Sequence, residues 1–97
     1  LWAVQREDGS WLLGGLIPIP ELKDRLGLKE VPEEHRGYYN TLGGMIMWLL
    51  DNMPRPGDAC MWCGWRFEVV ELHGNRRDKV LASRMPDEPV TTGTADT

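Results

Sequence analysis

The sequence contains no long hydrophobic run, only two cysteines, only two histidines and no concentrated basic segment. Its longest apolar run, residues 45–50, is far shorter than the ~20 residues that a membrane-spanning helix needs. Two cysteines are too few for the disulfide framework of a small secreted domain, which favours a reducing, cytosolic setting. The sequence therefore predicts a soluble chain that does not itself insert into a membrane.

The charge balance argues against nucleic acid as a partner. The formal net charge is −4 at neutral pH, whereas binding to a phosphate backbone depends on a concentrated basic surface. Arg76, Arg77 and Lys79 form a compact basic group, but Asp78 lies among them. This pattern is typical of a solvated strand face.

The length of 97 residues fits one domain. We expect the folded domain to cover residues 1–85 and residues 86–97 to form a disordered tail, because the tail has no hydrophobic periodicity. The first residue is Leu1 and not Met, so we also expect the chain to be a piece of a larger protein.

Turn and helix signals predict an α+β fold. Asp8-Gly9 separates two apolar runs, which predicts a hairpin of strands 2–6 and 11–13. Pro20 suits the first turn of a helix over 21–26, and Gly27 suits its C-terminal cap. After a polar loop at 29–40, a second helix is predicted over 41–53.

The remaining chain predicts three strands, at 59–62, 65–72 and 78–84, with a turn at 73–75. The element order is therefore β-β-α-α-β-β-β, with two helices packed on a small antiparallel sheet. The apolar stripe of the second helix is expected to contain Leu42, Ile46, Leu49, Leu50 and Met53.

Two glycines in the first turn of the second helix suggest that its backbone approaches another group closely. Thr41, Gly43 and Gly44 are candidate contacts for an anion, because free N–H groups at a helix start attract negative charge. The alternative is that Gly43 and Gly44 let the helix pack tightly on the sheet. We favour the packing interpretation.

Cys60 and Cys63 form a CxxC pair, which could indicate redox chemistry, part of a zinc site or a simple turn. In a regular strand their Cα atoms would lie roughly 10 Å apart, beyond the ~7 Å limit of a disulfide. Zinc would need two further ligands, and only His35 and His73 are available, singly and far apart. The pattern favours a hairpin turn, with Cys60 half-buried, Cys63 at the tip, and metal binding a weak alternative.

Other polar residues carry no strong signal for catalysis. His35 and His73 lie in an acidic loop and in a turn, where solvated histidines are common. Glu30, Glu33 and Glu34 could hold a divalent cation loosely, but a solvated loop explains them better. We therefore predict no catalytic residue and no cofactor.

Three segments together resemble the CorC/HlyC transporter-associated domain: DGSWLLGGLIPIPEL, YYNTLGGMIMWLLDNMPRPGD and GWRFEVVELHGNR. The ordered set covers residues 2 to about 84. The resemblance implies a domain on the cytosolic side of hemolysin-like membrane proteins, after a transmembrane region and a pair of CBS domains. Such proteins are associated with magnesium and cobalt efflux. It also implies a fold like that of FAD-binding (PCMH-like) domains.

The resemblance leads to a hypothesis of a non-enzymatic regulatory module that contacts its parent transporter. Exposed apolar side chains would make these contacts, and the candidates are Met45, Trp48, Trp62 and Trp65. A second hypothesis is a sensor that binds a nucleotide or another anion at Thr41, Gly43 and Gly44. Homodimerisation through the methionine-rich helix or a strand edge is compatible with the first hypothesis.

Overall fold

The computed structural model describes residues 3–72 and 78–85. The elements within these residues follow the predicted order and confirm the α+β class. They are strands β1 (Ala3–Gln5) and β2 (Trp11–Gly14), helices α1 (Ile19–Leu26) and α2 (Leu42–Leu50), and strands β3 (Ala59–Trp62), β4 (Trp65–Glu71) and β5 (Lys79–Arg84). A short 3₁₀ turn, Glu34–Arg36, lies between the helices.

The five strands form one antiparallel sheet in the order β1-β2-β5-β4-β3. The strand that is last in sequence, β5, therefore lies at the centre and joins the two hairpins. In the register, Leu13 lies opposite Val80 and Val80 opposite Val69. Because successive side chains of a strand point to opposite faces, these residues share one face. We call it the inner face.

Both helices pack on the inner face. Helix and strand residues form a single hydrophobic cluster, which contains Leu13, Ile17, Ile19, Leu22, Leu26, Val31, Leu42, Met45, Ile46, Trp65, Phe67, Val69, Val80 and Ala82. Phe67 lies between Cys60 and Ala82 in the register and is fully buried. The burial of apolar area, at about 25 cal/mol per Å², is the main force that holds the helices to the sheet.

Helix α1 begins at Ile19, two residues before the predicted start, and ends at the predicted cap. Pro20 occupies the first turn, where a missing N–H leaves no hydrogen bond unmade. Gly27 adopts a left-handed conformation, with φ of 69°, and its N–H donates to the carbonyl of Lys23. Pro20 and Gly27 therefore act on this helix through their own backbone conformations, which is why the sequence predicts where it ends.

Helix α2 is shorter than predicted, and the placement of Met53 in its apolar stripe is wrong. The helix ends at Leu50 because Asp51 takes a left-handed conformation, with φ of 60°. Met53 precedes Pro54, and the proline ring disfavours the helical region for the residue before it. Met53 lies outside the helix and is 72% exposed.

A short backbone ladder joins the starts of the two helices. The N–H of Leu42 donates to the carbonyl of Ile17 (3.0 Å), and that of Gly43 donates to Gly15 (2.8 Å). In the reverse direction, the N–H of Ile19 donates to Asn40 (3.0 Å). The segments 15–19 and 40–43 thus run antiparallel and fix the helices relative to each other.

Gly43 and Gly44 are required by close contacts in this ladder. A Cβ atom at Gly43 would lie 3.0 Å from the carbonyl oxygen of Gly15, and one at Gly44 would lie 2.9 Å from Cβ of Tyr39. These contacts support the packing interpretation of the two glycines. The close neighbours are the β2–α1 connection and the loop before α2, whereas we had expected the sheet itself.

Several predicted features lie outside the described residues. They are the start of the first strand at Trp2, the turn at 73–75 with His73, the basic pair Arg76 and Arg77, and the tail at 86–97. Within the described part of the chain, β4 ends one residue earlier than predicted, and β5 begins one residue later.

We predict that Gly43→Ala lowers the free energy of unfolding. Overpacking costs about 1–3 kcal/mol, while replacing a helical glycine returns at most about 1 kcal/mol. The Gly15 carbonyl cannot retreat without losing its 2.8 Å hydrogen bond to Gly43. Urea denaturation should therefore show a net loss of about 1 kcal/mol.

The control for this substitution is Asp24→Ala, at an exposed position of α1. It should change the free energy of unfolding by less than about 0.5 kcal/mol. A Gly43→Ala protein as stable as the parent chain would show that the backbone contact is looser than described.

Candidate functional site

The start of α2 is the candidate anion site, and its backbone donors are already engaged. Leu42 and Gly43 donate to the ladder, as described above. The N–H of Gly44 donates to Oγ1 of Thr41 (3.2 Å), and that of Met45 donates to the Thr41 carbonyl (2.9 Å). The N–H groups that a helix usually leaves open for an anion are thus satisfied within the protein.

An apolar groove of about 430 Å³ lies beside this helix start. Its lining includes Leu16, Met47, Met53 and Leu72, together with the two acidic residues Glu71 and Asp78. No basic residue lines the groove within the part of the chain that the structure describes. Apolar walls and carboxylates disfavour a phosphate or another anion. The geometry brings Thr41, Gly43 and Gly44 together but provides no anion-binding chemistry.

The CxxC pair is a hairpin turn, as predicted. Cys63 and Gly64 both have positive φ angles, 51° and 85°, and they connect Trp62 to Trp65. Two such residues in a two-residue connection are typical of a type I′ turn. Cys63 is exposed at the tip, and Cys60 is half-buried on the inner face.

The two thiols are free and lie in different environments. Burial raises the pKa of the Cys60 thiol, which reduces its thiolate fraction at neutral pH. A redox-active CxxC needs the opposite, a first cysteine with a lowered pKa at a helix start. Cys60 therefore has neither the helix-start position nor the lowered pKa of such a site.

Two glutamates of the acidic loop form ion pairs with basic side chains of the same chain. Glu34 forms an ion pair with Lys23, and Glu33 forms one with Arg36 at 2.9 Å. The hydrogen bond from Lys23 holds the pKa of Glu34 below its ordinary value. Across residues 3–72 and 78–85, no group of three His, Cys, Asp or Glu side chains is arranged to hold a metal ion.

Two of the four interface candidates are core residues. Met45 is fully buried, because it faces the sheet from the first turn of α2, so its expected position off the apolar stripe is wrong. Trp65 is only 5% exposed, on the inner face, with the Arg84 guanidinium 5.2 Å from its ring centre. Neither side chain offers a free surface to a partner.

The other two candidates, Trp48 and Trp62, retain exposed surface. Trp48 is 39% exposed and stacks on Tyr38, with ring centres 5.6 Å apart. Trp62 is half-buried, and its indole N–H donates to the carbonyl of Glu30 (2.9 Å). The stacking role of Tyr38 was not predicted from the sequence, because Tyr38 lies in the predicted loop at 29–40.

A family model described as the transporter associated domain, CorC_HlyC, matches residues 4–86. The chain is 43% identical over 89 residues to UPF0053 protein sll0260 from Synechocystis sp., a match that covers 92% of this chain and 20% of that protein. It is 35% identical over 82 residues to the polyamine export protein of Escherichia coli (strain K12), covering 84% of this chain and 18% of that protein.

Among solved structures, the CorC_HlyC domain of a Xylella fastidiosa Temecula1 hemolysin, in complex with Mg²⁺ and Mn²⁺, is 40% identical. The match has a TM-score of 0.74 and covers 89% of this chain and all (100%) of that domain. The expected likeness to FAD-binding domains stays a prediction.

The chain spans about a fifth of the length of the curated relatives that it matches. None of the described helices is long and apolar enough to cross a membrane. The segments that carry the family resemblance, including DGSWLLGG, TLGG and GWRFEVV, fall inside the matched range. The solved relative has the same fold. The chain therefore belongs to the CorC_HlyC family of transporter-associated domains.

Proposed function

We propose that this chain is a non-catalytic regulatory domain of a hemolysin-like membrane protein that exports cations. The observation that carries the proposal is the family match over residues 4–86, in a chain that spans only a fifth of relatives named as exporters. The parent protein would hold the domain at the cytoplasmic face of the membrane, next to a CBS pair. Magnesium, cobalt and polyamines are the candidate cargo classes.

Regulation in this proposal depends on contacts that differ between two states of the transporter. A domain changes an equilibrium only by the difference between its interaction free energies with the two states. Exposed aromatic side chains are suitable contacts, since they bury a large area when a partner covers them. Among the described residues, Trp48 with its stacked partner Tyr38 is the best-exposed aromatic surface of this kind. Self-association through the same helix is compatible with the proposal.

The absence of catalysis in this proposal rests on the site geometry. Within the described residues, the groove beside α2 contains no cysteine, histidine or serine. The thiols lie at a hairpin, one exposed and one half-buried. An activated nucleophile needs a base and an orienting partner beside it, whereas burial raises the pKa of the Cys60 thiol.

The thiol environments predict a two-phase alkylation. In the folded protein, Cys63 should react with iodoacetamide at least about ten times faster than Cys60, because burial lowers both the access to Cys60 and its thiolate fraction. Mass spectrometry of timed samples would assign each phase. Cys63→Ser should remove the fast phase, and Cys60→Ala should leave it unchanged. Equal alkylation rates of Cys60 and Cys63 in the folded protein would contradict the half-buried position of Cys60.

Deletion of the domain from the full-length transporter should change cation export. We expect the apparent affinity for the transported cation to shift by roughly fivefold or more, a typical allosteric coupling. Flux into inverted membrane vesicles, normalised to protein abundance, would measure the shift. Removal of residues 86–97 alone leaves every described element in place and is the control. Unchanged export after deletion of the whole domain would refute the regulatory role.

The alternative of an anion sensor predicts binding that we do not expect. Titration calorimetry with FAD, ATP and AMP should give no heat up to ligand concentrations on the order of 1 mM, because the N–H groups at the α2 start are already bonded. A saturable heat that Gly43→Ala abolishes, in a protein that still folds, would instead favour the sensor.

A further inference from the structure

The sheet has a second face, on the side opposite the helices, that we call the outer face. Strand alternation places on it the residues between the buried ones, so Leu12 and Leu81 lie there, flanking Leu13, Val80 and Ala82 in sequence. Neither described helix lies on this side, since the residues of both belong to the inner-face cluster. Among the described residues, the helices thus leave the outer face uncovered.

A row of three aliphatic residues crosses the outer face. Val4 lies opposite Leu12 in the register, and Leu12 lies opposite Leu81. We call Val4, Leu12 and Leu81 the outer-face strip. Antiparallel sheets with one solvated face usually carry polar side chains on that face. Here β1, β2 and β5 instead carry an apolar row on this face, in which Val4 is 48% exposed and Leu12 and Leu81 are half-buried.

Next to the strip, β4 carries a charged pair on the outer face. Beyond Leu81 the row continues to Glu68, which forms an ion pair with Arg66 at 2.7 Å. Ser83 lies opposite Arg66 on the same face. The Arg66–Glu68 pair on β4 therefore bounds the strip on this side and separates it from the exposed Met61 of β3, which lies opposite Arg66 on the same face.

The width of the strip matches a helix. Neighbouring strands lie about 4.8 Å apart, so three of them span roughly 10 Å, and an α-helix with its side chains is about 10 Å across. One helix with a narrow aliphatic stripe would cover the strip and leave the Arg66–Glu68 pair in solvent. The strip therefore fits the apolar stripe of an amphipathic helix.

The size of the face disfavours a second copy of this chain as the occupant. Five strands of three to seven residues give a face of about 400 Å², whereas a stable interface buries about 800 Å² on each partner. A tethered partner has no such requirement, because covalent linkage gives an effective concentration in the mM range. The matched relatives are about five times as long as the matched region, so such a tethered remainder exists in them.

We propose that the outer-face strip docks an amphipathic helix from the remainder of the longer polypeptide to which this domain belongs. The inference rests on the proposed function only in that the chain is part of a longer membrane protein. It assigns a surface to the contact through which the domain and the transporter communicate, and this surface is distinct from the Trp48 helix face.

Cysteine accessibility in the full-length protein tests the docking. In a Cys60→Ala, Cys63→Ser background, Val4→Cys probes the strip, and Met61→Cys on the same face but on β3 is the control. The two native side chains have similar exposure, 48% and 56%. We expect maleimide to label position 4 at least about tenfold more slowly in the full-length protein than in the 97-residue chain, with an unchanged rate at position 61.

A double substitution on the strip sharpens the test. Leu12→Thr with Leu81→Thr introduces β-branched side chains that favour strands but removes the apolar surface, so position 4 should become as reactive in the full-length protein as in the 97-residue chain. The thermal midpoint of the variant, compared with that of the parent domain, establishes that it folds. Restored labelling in a folded variant supports the docking.

Three outcomes would overturn the proposal. Equal labelling of position 4 in both proteins means that the strip is uncovered. Slow labelling that is already present in the 97-residue chain, and independent of its concentration, means that this chain covers its own strip. Slow labelling that grows with the concentration of the 97-residue chain means that a second copy is the occupant.

Transport measurements separate this proposal from the regulatory one. If deletion of the domain changes export but the folded double variant does not, regulation stands and the strip is not its contact surface. If deletion leaves export unchanged while position 4 is protected, the docking stands and the regulatory role fails.

Discussion

The backbone ladder between residues 15–19 and 40–43 is the constraint on which the arrangement of the domain depends. It places the starts of α1 and α2 side by side through hydrogen bonds from Leu42, Gly43 and Ile19. Because a Cβ atom at position 43 would lie 3.0 Å from the Gly15 carbonyl oxygen, the ladder also favours glycine at the third position of the TLGG segment. With both helices held together in this way, their apolar sides reach the same face of the sheet.

The ladder also decides what the start of α2 can do. A helix start that binds an anion must keep its N–H groups free, but here Leu42 and Gly43 donate to the β2–α1 connection and Gly44 and Met45 donate to the cap residue Thr41. The same glycines that resemble an anion-binding motif in the sequence therefore serve packing. The aromatic stack on α2 and the strip across the outer face are the surfaces on which the two proposals depend.

Local signals explain why most of the fold could be predicted. Asp8-Gly9, Pro20, Gly27 and the CxxC turn each act through their own backbone conformation, so their roles could be recognised without knowledge of distant neighbours. The errors came from tertiary contacts. Met45 and Trp65 are buried because of where the sheet lies, and no periodicity within a nine-residue helix or a seven-residue strand specifies that.

The outer-face strip was missed for the same reason. Val4, Leu12 and Leu81 are separated by long stretches of sequence, and only the strand register brings them into one row. The Tyr38–Trp48 stack likewise joins a loop to a helix. Sequence patterns predict the individual helices and strands, whereas these two surfaces depend on how the helices and strands are arranged in space.

The central position of β5 has a consequence for synthesis on the ribosome. The hairpins β1–β2 and β3–β4 can each form as soon as they emerge, but they share no strand pairing until β5 lies between them. The sheet therefore closes only after Arg84 has left the exit tunnel, and until then the inner face of each hairpin is exposed to chaperones and to aggregation. A nascent chain that stalls before this residue would present two unjoined halves to the quality-control machinery of the cell.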